Sequence, residues 1–497
     1  MSALYTDDDI DYKNAKLESG VFRPTVTTVP LPVMFLKTSD DGQSAELISP
    51  EEKQQMMSSQ PRGRFQKNSQ QRQGNGSQSL VEDTIDTIGK TYMIFSNNNG
   101  PAFAETQLVS ADWLRMMSDQ ESADGRRSSE ILVNMAQLQT IHTSKESMLK
   151  QNIPPAKFIE TAQWLNPYAG LSHNFFASVS AVALGNIDFN LRTVSEYMGQ
   201  DKLRFVDLGS SRGGFSEYIL WRASLCHRDA RGWFFGSDNN VDVGARLIHP
   251  CRAPERLDEF HQTSGSGGIL STANIDAFVS HVKRGNSGEG IDLVVAEVDS
   301  IEPSDLGLGH EKLQYSYSMA QAIVALRLLR RGGTFVFKVH ELSTKLSAEI
   351  LFLIHACFER VAIFRSLASR PTSAERFIVC NHLFADATRV ADHLYSALTK
   401  INSRGFKLSH LVSWTKLSTE HSQFLETLYK FSSMTAPTQA QSLQAVANHI
   451  QQNKFTRTSP TRKQSEVAIA CFTNWQIPVV YSRNGLFIVN NNNNNNK

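Results

Sequence analysis

The chain has 497 residues, 50 Lys+Arg against 49 Asp+Glu, a formal net charge of +1, 40% hydrophobic residues and 20% charged ones. That length provides for about two to four domains' worth of chain with ample apolar material for a core. The charge balance excludes a highly basic packaging protein and a wholly acidic solvating one.

The N-terminus, MSALYTDDDIDYK, is acidic and polar, so neither a secretory signal nor an Arg-rich transit peptide is expected. Residues 51–79 are rich in Gln, Ser, Asn and Arg and nearly free of apolar residues, so they cannot offset the entropy of ordering. Residues 1–80 are therefore expected to be a mostly disordered polar arm, and 489–497 an Asn-rich tail. Arg62-Gly63-Arg64 reads either as a solvated linker or as an RNA contact or nuclear import signal. Over 81–153, TYMIFS suggests a strand and ADWLRMM a helix, in an extension that packs on the main domain.

From 154 to 384 the pattern alternates between strand and helix. KLRFVDLGSS enters a glycine-containing turn, and GFSEYILWRAS carries apolar residues at helical spacing. GWFFGSD, IDLVVAEVD and GTFVFKVH are apolar runs of strand length. SYSMAQAIVALRLLRRGG reads as a helix capped at Gly332-Gly333. Continuous apolar strands between helices predict an α/β domain with a mostly parallel sheet buried on both faces, of the Rossmann-like kind. Residues 385–488, with VADHLYSALTKI and AQSLQAVANHI, predict a small, mainly helical C-terminal region. No apolar run reaches the length of a spanning helix, so no membrane partner is expected. The five cysteines (Cys226, Cys251, Cys357, Cys380, Cys471) show neither CxxC nor zinc spacing. Neither a disulfide framework nor a structural metal is expected, and a reducing compartment is.

The strongest local signal is Asp207-Leu208-Gly209-Ser210-Ser211-Arg212-Gly213-Gly214-Phe215-Ser216. A strand ending in Asp, a turn of small residues and a helix opening in Gly-Gly form a nucleotide-type pocket, or else a tight βα connection. The segment is not GxGxxG and lacks the Walker GK[ST], which disfavours a dinucleotide or ATP.

DLGSSRGGFSEYILWR resembles the S-adenosylmethionine motif of the RrmJ/FtsJ-type ribose 2′-O-methyltransferases, most closely the eukaryotic cap-specific mRNA enzymes. NPYAGLSHNFFASVSAVALGNID, GGTFVFKVHELST and CFERVAIFRSLASRPTSAERFIVC agree in the family's order. The resemblance covers about 154–383. It implies S-adenosyl-L-methionine held by Asp207, Gly209, Ser210, Ser211, Arg212, Gly213, Gly214, Phe215 and Ser216. It further implies capped mRNA as substrate at the first transcribed nucleotide, the transcription or capping machinery as partner, and residence in the nucleus, with the cytoplasm as the alternative. Of the family's Lys-Asp-Lys-Glu tetrad, the second lysine falls on Lys338 and the glutamate on Glu375. The aspartate falls on Glu297, with Asp299 two residues on, and the first lysine on Ala183. A lysine flanked by carboxylates and lacking a cationic neighbour is expected to stay protonated and serve poorly as a general base. A catalytically silent RNA- or partner-binding protein is thus the alternative to an active methyltransferase. Arg212 stands where the family has proline, and Gly268 where it has an acidic residue. Asp238 could accept ribose hydroxyls or simply form a turn. Arg370, Arg376 and Lys345 are candidate RNA contacts, with Trp164 and Tyr168 as stacking platforms or core residues.

Overall fold

The computed structural model describes chiefly residues 135–172, 175–210, 213–236, 256–260, 268–298, 310–384, 386–403, 408–452 and 461–480, with short strands before them. In chain order the strands are β1 (Phe35–Thr38), β2 (Ala45–Ile48), β3 (Tyr92–Ser96), β4 (Leu114–Ser118), β5 (Lys202–Leu208), β6 (Asp229–Phe235) and β7 (Leu257–Phe260). They continue with β8 (Ile291–Ala296), β9 (Leu329–Val339), β10 (Phe358–Phe364), β11 (Arg376–Leu383), β12 (Leu408–Val412) and β13 (Val479–Val480). Most of 1–91, with Arg62-Gly63-Arg64, lies outside the described residues, as does the Asn-rich tail.

The central sheet runs β3-β10-β11-β9-β8-β5-β6-β7. β7, β6, β5, β8 and β9 pair in parallel, whereas β11 is antiparallel to both β9 and β10. Chain order reverses at β5: the sheet grows to β6 and β7 on one side, then returns through β8 and β9 on the other. A crevice opens beyond the carboxyl ends of strands at such a reversal. β8 is buried along its whole length. An all-apolar run between two helical layers requires that.

Strand alternation divides the core. Val295, Val336 and Phe377 face the layer of helices Val179–Leu191, Gly214–Leu225 and Arg462–Asn474. Phe335, Phe337 and Val339 face the helices Thr272–Gly285, His310–Leu328, Lys345–His355 and Thr388–Asn402. A third apolar cluster joins helices Met135–Lys150 and Pro155–Leu165 to the second half of the 30-residue helix Ser422–Gln451. Lys145, nearly buried, ties this lobe to Glu341 beyond β9 at 3.6 Å.

The strand at Tyr92–Ser96 forms as expected and lengthens the sheet by antiparallel pairing with β10. Two expectations fail. ADWLRMM contributes not a helix but β4, because its backbone pairs with β12 from the C-terminal region. The helix expected to cap at Gly332 ends at Leu328, and β9 already begins at Leu329. Gly332 takes φ +76° within that strand, near a register shift against β8. The glycine is needed for a left-handed bend inside the strand rather than for a helix end.

Candidate active site

The Asp207 turn is closed on itself. Asp207, next to last in β5, is fully buried, and its carboxylate accepts from the Ser210 amide (3.0 Å) and hydroxyl (2.6 Å) and from the Ser216 amide (3.0 Å) and hydroxyl (2.7 Å). Burial outweighs these four bonds and raises its pKa to about 6. Ser210 Oγ also accepts from the Phe215 amide at 3.1 Å. Gly209 and Gly213 both take φ +68°, which a side chain would strain. Gly214 serves packing: a Cβ there would lie 2.9 Å from Ser180 Cβ and 3.0 Å from the Ala181 amide. Phe215 belongs to the core, with its ring edge-on to Phe377 at 6.2 Å. Ser211 and Arg212 lie outside the described residues, as do Asp238 and Asp299. Gly268 opens a short 3-10 turn, and its carbonyl accepts from the Asn274 amide side chain at 3.0 Å.

Beside this turn, three strand ends converge. Glu297 follows β8 and continues its ladder by donating its amide to the Leu208 carbonyl at 3.1 Å. Lys338 lies opposite Phe377 in the β9–β11 register, and Glu375 immediately precedes β11. Period-two alternation puts Glu297 with Val295, Lys338 with Val336 and Glu375 with Phe377, all on one face of the sheet. Lys338 Nζ donates to Glu297 Oε1 at 3.2 Å and lies 3.8 Å from Glu375 Oε2. The Lys338 side chain is only 11% exposed. Burying such a group costs desolvation and contributes little stability, so its position at the crevice points to chemistry. The three residues named from the sequence are thus brought together.

Ala183 is 5% exposed, within helix Val179–Leu191 on the same side of the sheet as Lys338. Asn186, one turn on, accepts from the Leu367 amide (2.9 Å) and the Ser366 hydroxyl (3.2 Å). This face of the helix therefore meets the segment leading to Glu375, and position 183 presents a methyl group where a cation is expected. Sequence reading missed Ser369, whose hydroxyl donates to Glu375 Oε1 at 2.5 Å. It also missed Arg365, whose Nη2 binds the carbonyls of Arg370, Pro371 and Ser373 at 3.3, 3.1 and 2.9 Å. The only advance signal for either was their place in the segment CFERVAIFRSLASRPTSAERFIVC. Arg376 is not an RNA contact: it is 4% exposed, and its guanidinium bonds the His340 carbonyl and Thr435. Lys345 lies over the Trp414 ring at 5.2 Å. Trp164 and Tyr168 are half-buried, and the Trp164 carbonyl accepts from Gln464.

Residues 188–383 match the model of the FtsJ-like methyltransferase family. The chain carries an FtsJ-like methyltransferase domain. It is 28% identical over 339 residues to cap-specific mRNA (nucleoside-2′-O-)-methyltransferase 1 of Ailuropoda melanoleuca and 27% identical to that of Homo sapiens. Each of these alignments covers 63% of this chain and 38% of the relative. The Danio rerio protein is 30% identical over 254 residues, covering 48% of this chain and 30% of the relative. The chain thus spans well under half the length of these curated relatives. Human methyltransferase-like protein 13, solved with SAH, aligns at 12% identity over 53% of this chain and 90% of its own, with a TM-score of 0.26, too low to carry an argument. The methyltransferase domain holds the turn, Glu297, Lys338 and Glu375, while Ala183 lies just before the matched segment.

Proposed function

We propose that the chain is an S-adenosylmethionine-dependent ribose 2′-O-methyltransferase acting on capped mRNA at the first transcribed nucleotide, in the nucleus and alongside the transcription or capping machinery. The observation that carries the reading is Lys338 set between Glu297 and Glu375, at the strand ends that adjoin the glycine turn. The turn suits such a cofactor. Gly209 and Gly213 bend the chain left-handed just past β5, where the sheet order reverses, and backbone at these two positions would hold the ligand. When bound, S-adenosylmethionine supplies an electrophilic methyl group on sulfur.

A ribose 2′-hydroxyl is a weak nucleophile, and negative charge grows on its oxygen as its proton passes to solvent and the oxygen takes the methyl group. Lys338 offers that oxygen a cation already in place, in a site where water competes little. Glu297 and Glu375 aim the amine, and Ser369 holds the second oxygen of Glu375. Catalysis here is positioning and charge stabilisation rather than proton abstraction by a neutral lysine.

Ala183 favours a second reading, a catalytically silent RNA- or partner-binding protein that keeps the fold. Incubating the full chain with methyl-labelled S-adenosylmethionine and capped or uncapped RNA of one sequence decides between them. Label on the first-nucleotide 2′-oxygen of capped RNA, absent with Lys338→Ala, supports the enzyme. Cofactor and RNA binding without any transfer supports the silent protein.

A further inference from the structure

Glu375 is gripped on both flanks by a helix that lies outside the segment matching the methyltransferase family. Phe431, Thr435 and Gln439 fall at i, i+4 and i+8 of helix Ser422–Gln451 and so share one face. On one flank, Arg376 donates from Nη2 to Thr435 Oγ1 at 3.0 Å, with its guanidinium carbon 5.5 Å from the centre of the Phe431 ring. Its Nη1 donates to the His340 carbonyl at 3.0 Å, two residues past Lys338. On the other flank, Gln439 Nε2 donates to the Thr372 carbonyl at 3.2 Å. Thr435 Oγ1 itself donates to the Phe431 carbonyl at 3.1 Å, which leaves its lone pair turned toward Arg376. Gln439 is 2% exposed, so water does not compete for its bond, and polar contacts in such surroundings are stiff.

Arg365 ties the carbonyls of Arg370, Pro371 and Ser373 together within the segment before β11, and the helix bonds anchor that segment, through Thr372 and Arg376, to the C-terminal region. Glu375 stands 3.8 Å from Lys338, a separation at which a small backbone shift changes which contact forms. We propose that helix Ser422–Gln451 is the positioning element of the acid–lysine cluster. Thr435, acting through Arg376, and Gln439, acting through Thr372, set where Glu375 stands relative to Lys338. The effect on rate rests on the methyl-transfer reading; the effect on Lys338 does not.

The test uses the full chain with four single substitutions, Glu375→Gln among them. Thr435→Val keeps the shape but removes the acceptor, Thr435→Ser keeps the acceptor, and Gln439→Met keeps the length but removes the donor. Two quantities are measured: the kinetics on capped RNA, and the rate at which an amine-reactive ester labels Lys338, read by peptide mass spectrometry. Thr435→Val and Gln439→Met should lower kcat about tenfold or more, leave cofactor affinity and the KM for RNA unchanged, and label Lys338 several-fold faster. Glu375→Gln should accelerate labelling in the same direction, and Thr435→Ser should restore wild-type values of both. Labelling of Thr435→Val at the wild-type rate would overturn the proposal, as would equal losses in the Ser and Val variants. If wild type transfers no methyl group, the functional reading fails and the labelling rates alone decide the positioning claim. If Thr435→Val does not fold, Gln439→Met carries the same test.

Discussion

The Asp207 turn and the Lys338 cluster adjoin each other across Leu208 and Glu297, yet they are held in different ways. In the turn, the Asp207 carboxylate spends its capacity on Ser210 and Ser216, residues three and nine positions away. In the cluster, Lys338 meets a carboxylate 41 residues earlier, and Arg376 next to Glu375 reaches 59 residues on to Thr435. The turn is a local device that would survive changes in the surrounding lobes. The cluster is a convergence of strand ends, and its geometry depends on elements far along the chain. A scaffold can therefore keep its ligand turn while losing its chemistry, and substitutions in the two regions should separate binding from transfer.

The widest separation is expected with Lys338→Ala. Methyl transfer to capped RNA should fall by about 10²- to 10⁴-fold, roughly 3 to 5 kcal/mol of barrier, while calorimetric cofactor affinity stays at the wild-type value. A parallel loss of affinity would mean that the two regions are not separable. The converse experiment adds charge. Ala183→Lys with Glu297→Asp should raise transfer by about 10²-fold, and Lys338→Ala in that background should erase the gain. A wild type already as fast as the double variant would show that another residue supplies the missing charge.

The turn has its own signature in pH. Asp207 has a folded pKa near 6 against an unfolded value near 3.8, so between those values the native state binds the proton more tightly. Its contribution to stability is therefore greatest below pH 4 and is lost as pH rises through 6, by about 3 kcal/mol over the window. Subtracting the urea-unfolding profile of Asp207→Asn from that of wild type should isolate this slope, and identical profiles would count against it. Gly213→Val should act at the same place by another route. A β-branched residue at φ +68° carries about 1 to 3 kcal/mol of strain, and cofactor binding should disappear while a pre-existing Lys338–Glu297 pair remains. Retention of wild-type affinity would show that the left-handed turn is dispensable.

This contrast also explains what could be read from the sequence. DLGSSRGGFS announces a strand, a turn and a helix within ten residues, because its hydrogen bonds close locally. The parallel sheet was legible in apolar runs such as IDLVVA, which β8 buries throughout. Lys338, Glu297 and Glu375 were found through family resemblance alone, since no spacing rule links residues that meet only through strand register. Ser369 had only its place in the segment leading to Glu375 as a signal, and Thr435 and Gln439 had none. A serine, a threonine and a glutamine are ordinary on loops and helices until tertiary packing sets Ser369 on Glu375, Thr435 on Arg376 and Gln439 on Thr372. ADWLRMM went wrong for a related reason: its partner strand lies near residue 410, and long-range pairing outweighed helical spacing.

The smallest effect is expected at the far end of β11, the strand whose beginning adjoins Glu375. There His382 binds Glu196 at 2.7 Å and Glu359 at 3.2 Å, and the bond to Glu196 outweighs partial burial to raise its pKa above the usual 6.5. A raised histidine contributes stability that is fully present below its unfolded pKa and is lost as pH climbs through the higher folded value. The pair is partly solvated, so its worth is about 1 kcal/mol or less. His382 also takes φ +60°, a backbone that asparagine tolerates better than most residues, so His382→Asn removes the charge with little added strain. Thermal unfolding of this variant should lie slightly below wild type at pH 5.5 and coincide with it at alkaline pH, with methyl transfer unchanged at both. A substantial loss of transfer would mean that strain at one end of β11 reaches Glu375 at the other, and the cluster would then depend on the whole strand rather than on the grip of the C-terminal helix.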